Sequence, residues 1–251
     1  MDLTSLYVLS IAFVAALVRS TFGFGEALFA VPLLALWLPL KVVTPLVVLL
    51  SITIAGSVVA QDWRHVHLRG SLGLLVPSLA GIPCGLMLLS SPYQLPMKVG
   101  LAVSILGFAA YGLAGRDLPH LERDKPAWLL GCGFCAGLLG AAFGMNGPPL
   151  VIYGTMRRWS AQKFRATLQG YFLPASLLAM AGYRLDGLWQ PAVTRYYLLS
   201  LLTTIPATLL GRSINRRMHP QGFVRYVYAG LVVIGTVLLL QAASAWRHAG
   251  W

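Results

Sequence analysis

Charge is what this chain has least of. Asp, Glu, Lys and Arg make up 10% of its 251 residues, while 57% are hydrophobic. A soluble domain carries about 25% charged residues, so a water-facing surface is excluded and the chain reads as a polytopic membrane protein. Its apolar stretches are helix-length and do not alternate, which excludes a β-barrel in favour of an all-α fold. Acidic residues are the scarcest, 7 against 19 Lys and Arg. The basic ones are scattered over short loops, which excludes nucleic acid as a partner. They fit topogenic charges that hold loops in the cytoplasm, and part of the excess could draw anions toward a pore. Cysteine is also sparse. Cys84, Cys132 and Cys135 lie in apolar segments without a histidine near the pair, so neither a metal site nor a redox pair is expected. Met1-Asp2-Leu3-Thr4 lacks the basic start of a signal peptide, and no A-x-A-like site follows the first apolar stretch, which ends at Arg19-Ser20. No nucleotide-binding motif occurs, so no cofactor and no ATP drive within the chain are expected.

What is present is a succession of ten apolar segments, predicted at 3–18, 26–39, 42–60, 70–90 and 96–114, then 127–142, 148–156, 166–183, 194–211 and 222–242. A polar linker, 116–126, separates two repeats, 1–115 and 127–251. Phe22-Gly23 returns as Phe143-Gly144 after 121 positions, and Ile82-Pro83 as Ile205-Pro206 after 123. A drift of two positions is what a duplicated unit with one small insertion shows. Loop charges give the relative orientation. Lys41 alone follows the second segment, whereas Arg157, Arg158, Lys163 and Arg165 follow its counterpart. After the third segment come Arg64, Arg69, His65 and His67, against Arg184, Arg195 and Asp186, a pair too close to decide. After the fourth come Lys98 alone, against Arg212, Arg216 and Arg217. The basic member changes sides between the halves, so the positive-inside rule predicts an inverted-topology repeat. Loops 61–69, 115–126, 157–165 and 212–219 are then cytoplasmic, and both termini face outward.

Two glycine-rich breaks interrupt the hydrophobicity: Phe22-Gly23-Phe24-Gly25-Glu26 and Phe143-Gly144-Met145-Asn146-Gly147-Pro148-Pro149. The segments around them fall short of the roughly 20 residues of a full span. Each pair is therefore predicted to form a re-entrant or tilted hairpin with the break at its tip, the two tips meeting near the midplane. Unpaired backbone in lipid is tolerated only where protein or a watery cavity surrounds it, and paired breaks in corresponding positions point to a transporter binding site.

The chemistry follows from residue type. Glycines let backbone approach a ligand, and a helix that starts after a tip offers free N–H groups and a positive dipole end to an anion. The candidate substrate-binding residues are Arg19, Gly23, Phe24, Gly25 and Glu26 at the first tip, and Gly144, Met145, Asn146 and Gly147 at the second. Tyr153 is added as a wall and Gln169 as an uncharged donor. Arg19 and Glu26 are the only charges between Asp2 and Lys41. An ionisable group inside a membrane is a functional hypothesis by default. Arg19 presents a planar fork to carboxylate or sulfonate, while Glu26 is either its structural ion-pair partner or the seat of a coupling proton. Ser51, Thr53, Ser57, Gln61, Ser176, Thr203, Thr204 and Thr208 read as interhelical hydrogen-bonding groups. Trp63, Trp159, Trp189, Trp246 and Trp251 fall at segment ends, as an interfacial belt does.

At these residues the chain resembles the sulfite exporter TauE/SafE family of membrane transporters. The resemblance rests on Gly23-Phe24-Gly25-Glu26-Ala27-Leu28-Phe29-Ala30-Val31-Pro32-Leu33 and on the second copy, Gly137-Leu138-Leu139-Gly140-Ala141-Ala142-Phe143-Gly144-Met145-Asn146-Gly147-Pro148-Pro149-Leu150. The family's glycine run at the first site is denser; here Phe24 and Glu26 interrupt it. The resemblance implies transport of small sulfur-containing anions, sulfite, sulfoacetate or related organosulfonates, across the bacterial inner membrane. The expected function is a secondary transporter working by alternating access, with the small anion and the lipid bilayer as partners and a homodimer as a further expectation. A passive anion channel and a membrane-embedded lipid-phosphate enzyme are the alternatives. The enzyme would need a nucleophile or acid–base cluster at the tips, and only Arg19, Ser20, Thr21 and Glu26 gather there.

Overall fold

The computed structural model describes residues 3–62, 68–114, 119–122 and 124–215, and in the last stretch 232–233, 235–240 and 242–244. Among these, every regular element is a helix: α1 (Leu3–Phe22), α2 (Glu26–Ala35), α3 (Leu40–Asp62), α4 (Leu68–Ser90), α5 (Gln94–Ala114), α6 (Pro126–Phe143), α7 (Gly147–Met156), α8 (Ala161–Leu185) and α9 (Pro191–Asn215). Further helical residues lie at 235–240 and 242–244. Several residues used for topology lie outside the described residues: Trp63, Arg64, His65, His67, Arg216, Arg217, Trp246 and Trp251, together with Arg116, Asp117 and Arg123 of the linker and much of the segment expected at 222–242.

Within α1, α3, α4, α5 and α6 lie stretches long and apolar enough to cross a membrane: Leu3–Thr21, Leu40–Ser57, Ser71–Ser90, Leu95–Ala114 and Pro126–Phe143. α8 and α9 have 25 residues each and carry more charge, with Lys163, Arg165 and Arg184 on one and Arg195 and Arg212 on the other. Among the nine numbered helices α2 and α7, at 10 residues each, are too short. At a rise of about 1.5 Å per residue they cover roughly half of a hydrocarbon core about 30 Å thick.

Four boundaries depart from the sequence expectation by four residues or more: α8 begins at Ala161 rather than 166, α9 ends at Asn215 rather than 211, and α1 and α2 differ at their ends. α1 does not stop before Arg19 but continues through it to Phe22, because the guanidinium finds buried partners instead of ending the apolar run. α2 ends at Ala35 rather than 39. There the N–H groups of Leu36, Trp37 and Leu38 turn back onto the carbonyls of Leu33 and Leu34. Pro39 then disfavours helical geometry at the residue before it.

The broadest helix contacts are α4 along α6 and α1 along α9. Exchanging the halves maps one of these pairs onto the other, and likewise maps α1 on α2 onto α6 on α7, and α4 on α8 onto α9 on α3. Both broad pairs run parallel. The Thr203 Oγ1 donates to the Leu9 carbonyl at 3.3 Å, while further along both helices Gly211 lies against Leu17 and Ser20. On α4 and α6, Gly133 lies against Leu74 and Pro77, and Gly85 against Leu138 and Ala141. These contacts are backbone-close. A Cβ on Gly133 would stand 2.6 Å from the Leu74 carbonyl oxygen, and one on Gly211 2.8 Å from that of Leu17. Small residues at such crossings are how helices associate in lipid, where no hydrophobic force separates helix from tail. Buried hydroxyls tie the layers further: Tyr183 donates to the Ala141 carbonyl at 2.6 Å, and the Thr53 and Tyr197 hydroxyls pair at 2.7 Å.

The described part of the linker is clamped to the end of α7. The Leu121 N–H donates to the Met156 carbonyl at 2.9 Å, the Arg157 Nη1 to the Leu121 carbonyl at 2.6 Å, and the Tyr153 hydroxyl to the Asp124 carboxylate at 2.6 Å. Asp124 also pairs with the Arg157 Nε at 2.9 Å.

Candidate functional site

Each break becomes a tight turn for a backbone reason. At the first tip Gly23 has φ 86° and Gly25 φ 105°, the left-handed side of conformational space that only glycine enters without strain. The Gly23 N–H still reaches back to the Arg19 carbonyl at 2.6 Å, closing α1, and Glu26 opens α2. At the second tip Gly144 has φ 67° and ends α6 in an αL cap, its N–H going to the Gly140 carbonyl at 2.8 Å, while that of Met145 goes to the Leu139 carbonyl at 3.1 Å. Asn146 occupies the N-cap position of α7 without making a side-chain cap hydrogen bond, and proline follows in the first turn.

The two tips meet. Gly25, Glu26, Ala27 and Leu28 from the first, and Gly144, Met145, Asn146, Gly147 and Pro148 from the second, line one cavity, closed on another side by Phe172 of α8. A Cβ on Gly147 would lie 3.6 Å from the Phe24 ring. The helix starts of both α2 and α7 therefore face the same space. The cavity measures about 10 Å³, room for about one water molecule, so an anion enters only if the tips part.

Arg19 stands behind this cavity. Its side chain is fully buried and ion-pairs with Glu26, its Nη1 donates to the Ser51 Oγ of α3 at 2.6 Å, and its Cζ lies 4.8 Å from the centre of the Phe172 ring. The guanidinium's Nε and Nη2 have no partner. Buried donors are nearly always satisfied, and guanidinium carries five N–H groups in a fixed fork. Arg19 does not itself line the cavity, but Glu26 and Phe172, which both touch Arg19, do.

A second small cavity adjoins the first and shares Asn146 with it, walled by α3, α4, α6 and α8 residues that include Val48, Ile82, Gly140, Tyr171 and Ser176. Asn146 fits between the two because Gly140 has no side chain: a Cβ there would lie 3.1 Å from the Asn146 Cβ.

The structure thus brings together Arg19, Phe24, Gly25, Glu26, Gly144, Met145, Asn146 and Gly147, with Gly23 one turn behind in the same loop. Gln169 lies one helical turn before Phe172 on α8, buried, with its Oε1 unpartnered, but it does not line the cavity. Tyr153 lies apart. Its hydroxyl is engaged by Asp124 and its ring packs edge-on against Trp159 at 5.6 Å. Phe172 is the residue sequence reasoning passed over. One aromatic in an apolar helix carries no local signal, and only the fold sets it over Arg19. Among the described residues no group of three or more His, Cys, Asp or Glu is placed to hold a metal ion.

Comparison with known proteins agrees with this geometry. The family model described as Sulfite exporter TauE/SafE matches residues 8–239, most of the chain, and the chain belongs to that family. The probable sulfite/organosulfonate exporter TauE of Cupriavidus necator is 27% identical to it over 212 residues, covering 82% of this chain and 82% of that protein. No solved structure matches. The family consists of membrane transporters rather than enzymes, and with its apolar helices this is a multi-pass bacterial membrane protein.

Proposed function

We propose that this member of the sulfite exporter TauE/SafE family is a secondary transporter that exports sulfite or a small organosulfonate across the inner membrane by alternating access. The observation that carries the reading is one cavity faced by two helix starts and backed by a buried arginine with two unpartnered nitrogens. Helix starts supply partial positive charge and N–H donors without adding an ionised group, and guanidinium supplies a planar fork for an oxyanion. The substrate class follows the name of the relative from Cupriavidus necator.

The two halves, 1–115 and 127–251, are read as inverted repeats joined by the cytoplasmic linker 116–126. Five consecutive elements that reverse direction at each turn leave the next one pointing the opposite way. α6 then runs against α1, and the counterpart of α4, which is α9, runs with α1. The parallel course of α1 with α9 and of α4 with α6 supports this, as does the exchange of helix pairs between halves. Inverted repeats rock about a fixed site at their interface, and a cavity lined by residues of both tips is consistent with such a site.

Proteoliposomes test the reading. Vesicles loaded with labelled sulfite or methanesulfonate are expected to release it faster than empty vesicles, and an opposing gradient of unlabelled substrate is expected to drive accumulation of label. Release without accumulation makes the protein a channel. Failure of every sulfur anion to move or to stabilise the purified protein overturns the proposal.

A further inference from the structure

The guanidinium at the site is already occupied. Arg19 holds one anion, and that anion belongs to the chain: the Glu26 carboxylate, placed by the first tip in the wall of the cavity that the substrate is to use. Both side chains are buried, so neither water nor salt screens either charge, and an unpaired charge there is costly. Two other cations, on the elements beyond the tips, have partners of their own. Lys41, at the start of α3, donates to the Ser90 carbonyl at 3.0 Å, and Arg157, beyond the second tip, is held by Asp124. Arg19 therefore has two conditions in which it is neutralised, by Glu26 or by a bound anion.

We infer that Glu26 is a built-in counter-anion for Arg19, which neutralises the guanidinium in the unloaded transporter so that it can reorient empty, and which the substrate oxyanion displaces on binding. The inference rests on the transport reading above and deepens it. A net exporter must return without cargo. With an unpaired guanidinium at a closed cavity, the returning form would bury a bare charge, and only loaded forms would cross. With Glu26 in place, the empty form is as neutral as the structure shows it. The displaced carboxylate stays at the first turn of α2, whose N–H groups and positive dipole end favour it, and which faces the cavity that opens to water. When the loaded cavity closes, the displaced carboxylate takes up a proton from that water, since an unpaired charge of its own would be as costly there as a bare guanidinium.

The test compares exchange with net efflux. The full chain carrying Glu26→Gln is reconstituted and loaded with labelled methanesulfonate or sulfite. Exchange against external unlabelled substrate is the internal reference in the same variant and is expected to lose much less than net efflux does, because loaded forms still cross. Net efflux into substrate-free medium is expected to fall at least about tenfold, because the empty return buries an unpaired guanidinium. Binding of the same anions to the detergent-solubilised variant is expected to tighten, since their competitor is gone. Glu26→Asp keeps the charge one methylene short and is expected to restore part of the net efflux. Equal rates of exchange and net efflux in a monodisperse Glu26→Gln protein overturn the inference, as does loss of both while sulfite binding is kept. If the native protein neither exchanges nor releases either anion, the transport reading itself fails, and the inference with it.

Discussion

At the first tip the chain brings its charges with it; at the second it brings none. Glu26 opens α2 and places a carboxylate where the helix dipole is positive, and Arg19 one loop earlier answers it. α7 opens on Asn146, Gly147 and Pro148 instead, so its N–H groups and dipole end face the cavity uncompensated. Two glycine-led turns, with left-handed Gly23 and Gly25 at the first and Gly144 alone at the second, thus yield one self-neutralised helix start and one without a charged residue. A few side chains decide which helix start is left uncompensated.

The strongest way to break this comparison is to strip the first tip of its cation. Arg19→Ala leaves Glu26 buried without a partner and is expected to cost about 3–5 kcal/mol and to abolish transport, read as a fall in Tm and in efflux. Arg19→Ala with Glu26→Ala is expected to recover most of the stability and none of the anion binding. A double variant that transports normally makes the pair a hairpin brace and nothing more. Asn146→Asp then makes the second tip resemble the first. Asn146 is buried and makes no cap hydrogen bond, so an unpaired aspartate there is expected to lower Tm while anion affinity drops at least about tenfold through like-charge repulsion. A fall in stability with affinity unchanged would place Asn146 outside the site. Gly144→Ala and Gly25→Ala test the turns themselves. Each is expected to lose about 1–2 kcal/mol for a side chain on the left-handed side, seen in Tm. The smallest effect is expected from Tyr153→Phe, about 0.5–1.5 kcal/mol for the hydrogen bond to Asp124 with transport unchanged. A transport loss as large as that of the Asn146 variant would return Tyr153 to the site.

Much of the architecture was legible. Helix positions followed from apolar length, since in lipid the backbone has few ways to pair its polar groups. The breaks at Gly23-Gly25 and Gly144-Gly147 were legible because glycine and proline act locally on φ. Where the reading missed, the cause was a distant partner. Arg19 marks the end of an apolar run in sequence, yet α1 runs through it to Phe22 because Ser51, Glu26 and Phe172 receive its side chain. Tyr153 is the seventh residue of α7, near the tip by chain position, yet its hydroxyl turns to a linker carboxylate. Phe172 had no signature at all.

By itself the sequence determined that this is a helical membrane protein with two glycine-rich breaks, each leading into a short helix, and that Arg19 and Glu26 flank one of them. Composition, length and backbone chemistry are local properties, and a chain carries them before it folds. Only the tertiary structure decided that the two breaks share one cavity, that Arg19 is held by a residue of its own tip with two nitrogens to spare, and that Phe172 lies across both. Those are distances between helices, set by glycine-close packing of α4 on α6 and α1 on α9, and no local pattern encodes them.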